Sequence, residues 1–128
     1  GLSYERFGIA TKKLNIPGFP FFMSDNSGGI YLTSYAKSET EQVIIFMENE
    51  GRFYEMAQGG EGMIVESTYT LDGHDAVFIR ITREDDGTPT DSRSLVVALP
   101  EHSAVLYIIA SLPMSKSELE GIIRQIRF

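Results

Sequence analysis

The sequence predicts a single α+β domain over residues 1–128, an antiparallel β-sheet flanked by helices and closed by a C-terminal amphipathic helix packed on the sheet. Three observations carry this. Two runs rich in β-branched and aromatic residues, 63–71 and 75–82, flank the Gly-bearing stretch Asp72-Gly73-His74, a strong short-range hairpin signal. Two later runs, 93–99 and 103–111, are apolar enough to be central strands covered on both faces. Finally, Leu119, Ile122, Ile123 and Ile126 recur at i, i+3, i+4 and i+7, a stripe that must pack on the sheet.

In chain order, Tyr4, Phe7 and Ile9 suggest a short N-terminal strand around 4–10. The stretch 15–23 holds Pro17 and Pro20, which push the backbone towards extended or turn conformations, and 24–29 is a polar, Gly-rich loop. A strand follows at 30–35. Ser38 with Glu41 resembles a capping box, whereas Val43-Ile44-Ile45-Phe46 prefers a strand. The favoured resolution is a strand at 42–47 and a helix at 50–58, capped by Asn49 and ended by Gly59; a single helix over 39–58 is the alternative.

In the central hairpin, Val77, Ile79 and Ile81 form one face. A three-residue loop, Asp72 to His74, sets them beside Met63, Val65, Tyr69 and Leu71, whereas a two-residue turn places Tyr69 opposite Ala76. Hydrophobic matching along a regular strand favours the longer loop. Residues 83–91 form an acidic turn, Pro100-Glu101-His102 joins the two central strands, and Pro113 stops the second. The closing helix begins at Ser115-Lys116-Ser117-Glu118. Glu120 and Arg124 are spaced as an i,i+4 pair on its solvated face, worth a few tenths of a kcal/mol, roughly 0.2–0.5.

The 128 residues, 42% hydrophobic and 23% charged, suffice for one cored domain. No apolar run approaches the roughly 20 residues of a membrane-spanning helix. The net charge of −7 repels phosphate backbones, so nucleic acid is not an expected partner. There are no cysteines, which removes disulfides, thiolate catalysis and Cys-based zinc sites. The Gly1-Leu2-Ser3 start is read as a processed or tag-derived end. From it follows the expectation of an extracytoplasmic protein, in the periplasm, the envelope or secreted.

No catalytic constellation emerges. His74 and His102 both fall in predicted turns, and His74 and Asp75 project to opposite faces of a regular strand. No Gly-x-Ser-x-Gly elbow supplies a nucleophile, and no spacing supplies a metal site or calls for a cofactor. Glu84, Asp85, Asp86 and Asp91 are the best cation candidates, as hard oxygen donors around Gly87, but the alternating order and distal Glu of a calcium loop are missing. Their bland reading is a solvated hairpin tip. Gly59-Gly60-Glu61-Gly62 reads as a helix stop, since its carboxylate would repel phosphate. Phe19, Phe21 and Phe22 are the candidate protein-binding residues. The default for 19–23 is an inward-facing core, with Phe21 or Phe22 as the ring left exposed. A second possibility is a carrier in which Phe22, Tyr31, Phe46, Phe53 and Tyr54 line a cavity between helix and sheet.

Leu71-Asp72-Gly73-His74-Asp75-Ala76 with Phe78-Ile79-Arg80-Ile81, then 107–113 ending at Pro113, then 118–126, resembles the PsbP-like fold in its order of elements over residues 30–128. That family includes a photosystem extrinsic subunit and bacterial envelope proteins. The resemblance implies an antiparallel sheet with helices on its faces and a binding role towards a protein partner. It supplies no catalytic residue.

Overall fold

The computed structural model describes residues 14–25, 31–49 and 53–126. They form a seven-stranded sheet with every neighbouring pair antiparallel: β1 (Phe21–Asp25), β2 (Tyr31–Ala36), β3 (Gln42–Asn49), β4 (Met63–Leu71), β5 (His74–Arg83), β6 (Pro89–Leu99) and β7 (Ala104–Ala110). The order across the sheet is β1-β2-β3-β7-β6-β5-β4, which leaves β1 and β4 at the edges. Two short helices, α1 (Phe53–Met56) and α2 (Lys116–Ile123), and a 3₁₀ turn at Pro100–His102 complete an α+β architecture dominated by the sheet. The predicted strand around 4–10 and most of the 24–29 loop lie outside the described residues.

The core has two layers. Val43, Ile45, Leu95, Val97, Leu106 and Ile108 form one cluster with Leu119, Ile122, Ile123 and Ile126. On the opposite face Phe53 of α1 joins Val77, Ile79, Val96, Val105 and Tyr107. Consecutive residues of β6 and β7 are therefore buried on both sides, as their unbroken apolar runs require. α2 starts with a complete capping box. The Glu118 backbone N–H donates to Ser115 Oγ (3.1 Å), and the Ser115 N–H donates to Glu118 Oε1 (3.0 Å).

Three expectations are corrected, and one alternative is excluded. The central hairpin has a two-residue turn, with Leu71 paired to His74 and Tyr69 to Ala76. Asp72 (φ 49°) and Gly73 (φ 87°) both take left-handed backbone, the signature of a type I′ turn, so His74 opens β5 instead of lying in the loop. The register still satisfies the hydrophobic pattern because the ladder shifts by one residue between Val65 and Ser67. This bulge lets Met63 and Val65 oppose Ile81 and Ile79 on the α1 face, while Tyr69 and Leu71 pack on the α2 side.

A helix over 39–58 does not form. Ser38 Oγ instead accepts from the N–H groups of Thr40 (3.3 Å) and Glu41 (3.1 Å) in the tight loop between β2 and β3. The helix expected at 50–58 is a single described turn, and the Asn49 side chain lies outside the described set. Gly59 does end it, with φ 74° and Val65 Cγ2 only 3.3 Å from where a Cβ would sit.

The inward reading of 19–23 fails beyond Phe19. Phe19 is half-buried against the core behind a turn in which its N–H donates to the Ile16 carbonyl (2.9 Å), with Pro17 and left-handed Gly18 (φ 82°) at the corner. Phe21, Phe22 and Met23 continue as an exposed edge strand.

Lastly, Glu120 and Arg124 both reach to the β4–β5 hairpin. The Tyr69 hydroxyl donates to Glu120 Oε2 (2.6 Å), and Arg124 Nε stands 3.3 Å from Asp72 Oδ2. Glu120 is thus partly buried, not on a free solvated face.

Candidate functional site

Two regions collect side chains that the fold does not consume. The first is the β1 edge. All five of its residues are exposed, with Phe21 at 48%, Phe22 at 61% and Met23 at 41%. Phe21 pairs with Tyr35 and Met23 with the adjacent Ser34, so Phe22 is the extra residue of a bulge and lacks a ladder partner. The Phe21 ring stands edge-on to Tyr35 (5.9 Å, 80°). Tyr35 is itself buried, and its hydroxyl accepts from the Leu14 N–H (3.1 Å). The strand is therefore anchored at one ring while its other apolar groups face solvent. The β4 edge is built differently. Although a bulge interrupts it too, its apolar and polar residues alternate, and Glu66 lies 3.3 Å from Arg80 Nε across the strand. That pair is off-axis for a hydrogen bond, so its contribution is electrostatic only.

The second region is a cleft of roughly 370 Å³ at the end of the sheet where β5 begins, β6 ends and β7 begins. α1 supplies Phe53 and Tyr54, whose rings meet edge to face (5.2 Å, 86°). The β4–β5 turn and β5 supply Gly73, His74 and Asp75, and the 3₁₀ turn supplies Pro100 and Glu101. His74 Nε2 lies 2.5 Å from Glu101 Oε1, and its Nδ1 lies 3.2 Å from the Asp72 carbonyl oxygen. Burial alone would push the Glu101 carboxyl up. Its own backbone N–H, the His74 hydrogen bond and the neighbouring His74 and His102 charges together hold it below the ordinary carboxylate value. Each ring nitrogen of His74 thus has an oxygen within hydrogen-bond distance.

Of the residues expected to line a carrier cavity, Phe53 and Tyr54 meet here, whereas Phe22 and Phe46 do not. Phe22 is on the β1 edge, Phe46 stacks on Tyr107 (4.3 Å, 5°) within the sheet face, and the Tyr31 side chain lies outside the described set. The carboxylate wall escaped sequence reasoning. Glu101 and His74 are 27 positions apart, and only strand order brings them together.

The acidic hairpin tip does not converge. Asp86 Oδ1 accepts from the Thr88 N–H (2.9 Å), and Thr88 hydrogen bonds hold its carboxyl below the ordinary value. Asp91 pairs with Arg93, and the Glu84 N–H donates to the Thr88 carbonyl (2.9 Å). Among the described residues no group of three or more His, Asp or Glu side chains stands where it could hold a metal ion. No described helix is long and apolar enough to cross a membrane. Comparison with protein-family models, curated proteins and solved structures returns no match for this chain.

Proposed function

We propose that this is a non-catalytic protein-binding domain that takes up an extended segment of a partner along β1. The observation that carries the reading is an edge strand with all five residues exposed, three of them large and apolar in succession. An edge strand presents unpaired backbone groups, and natural sheets blunt such edges with charge, proline or bulges. Here charge arrives only at Asp25, at the strand's end, and the bulge projects Phe22. A partner strand would gain backbone hydrogen bonds from the edge and specificity from the rings. The PsbP-like resemblance points towards binding as well, on element order alone.

The double variant Phe21→Ser/Phe22→Ser is expected to keep its thermal unfolding transition, since both rings are largely exposed, and to lose partner binding. Unchanged binding by the folded variant would remove β1 from the account.

A small-molecule carrier is the second reading, favoured by the cleft beside α1 with its two aromatic rings.

A further inference from the structure

We infer that the cleft beside α1 binds a small organic cation of the alkylammonium class, an inference that rests on the carrier reading. One wall is aromatic: Phe53 is buried, and Tyr54, 69% exposed, stands at the mouth. The lining also holds two carboxylates. Asp75 is exposed and its side chain makes no hydrogen bond or ion pair among the described residues, and Glu101 is a second carboxylate among the lining residues. Among the described lining residues the only basic side chain is His74, whose Nε2 lies 2.5 Å from Glu101 Oε1; His102 adds a second imidazole to the field at Glu101. An anionic ligand would meet two carboxylates, and a neutral one would leave Asp75 unused. An ammonium group satisfies both walls, by attraction to the tyrosine face and to the carboxylate.

The same molecule contains this arrangement in completed form. At Tyr69, the Lys116 ammonium sits 4.4 Å from the ring centroid while Glu120 accepts from the ring's hydroxyl. Aromatic ring, carboxylate and ammonium are all supplied by the chain there. At Tyr54 the ring and the carboxylates are present, and no described residue of the cleft brings the ammonium. The net charge of −7 adds a field that concentrates cations near the surface. A volume of roughly 370 Å³ lies at the small end of ligand sites, which suits a compact amine.

The test is a titration of the full chain with choline, followed by two-dimensional NMR, alongside the neutral carbon isostere of choline and acetate. Choline is expected to give saturable shifts at Tyr54, His74 and Asp75, with the isostere weaker by about tenfold or more, and acetate without effect. Asp75→Asn and Tyr54→Leu are both surface changes that leave the core intact. Each is expected to weaken choline binding about tenfold. Equal affinity for choline and its isostere would overturn the cation assignment while leaving a carrier cleft. No saturable shift with any of the three would overturn both readings.

Discussion

At the scale of single residues, the 3₁₀ turn that lines the cleft ends in a strained backbone position. Ser103 follows the 3₁₀ turn with φ 50°, and its N–H donates to the Pro100 carbonyl (3.1 Å), so the position is held left-handed by the turn it closes. An L-residue pays a steric penalty there that glycine does not. Ser103→Gly is expected to raise the unfolding free energy by roughly 0.5–1 kcal/mol in urea titrations, and a decrease would show that the Ser103 side chain makes an offsetting contact. Glu101 has a carboxyl pKa depressed in the folded state, so its stabilising contribution is present above the ordinary carboxylate range and is lost as pH falls through the lower folded value. Followed by NMR, Glu101 is expected to titrate below a free glutamate, and His74→Gln to move that midpoint upward. An unmoved midpoint would mean that its backbone N–H and His102 hold the charge.

At the scale of elements, α2 is tied to the β4–β5 hairpin by polar contacts as well as by its apolar stripe. Burial first, and then the hydrogen bond to Glu120, raise the Tyr69 phenol well above its ordinary value of 10.0. A raised folded-state value means that the associated stability is complete below about pH 10 and is lost as pH rises above it. Tyr69→Phe is expected to cost about 1 kcal/mol at neutral pH and to flatten the loss of stability above pH ~10, both measurable by denaturant titration.

The elements also mark where sequence is informative. α2 was legible because Ser115, Glu118 and the 3.6-residue stripe are local signals, and β6 and β7 because burial on both faces leaves unbroken apolar runs. The hairpin register was not. A bulge after Val65 reverses which face the later residues occupy, and nothing in Met63–Leu71 marks the inserted residue. Glu120 and Arg124 have the spacing of a helical pair, yet their partners, Tyr69 and Asp72, come from another element.

At the scale of the whole molecule, strand order decides what is left over. Because β7 inserts between β3 and β6, the N-terminal hairpin is pushed to one margin and the β4–β5 hairpin to the other. Sequence identified Phe19, Phe21 and Phe22 as candidates, with Phe21 or Phe22 as the exposed ring, but could not foresee that both are exposed, since that depends on β1 standing at the edge of the described sheet. The same order brings the start of β5 beside the 3₁₀ turn and so creates the cleft. The protein thus carries an apolar margin and an acidic cleft in different parts of one sheet.

The margin is the central claim, and site-specific photo-crosslinking in the native cell tests it most directly. A photoreactive residue at Met23 is expected to yield a discrete protein adduct that disappears with Phe21→Ser/Phe22→Ser, while the same residue at the exposed Thr70 of β4 yields none. An adduct at Thr70 but not at Met23, or one at Met23 that survives loss of both rings, would contradict it.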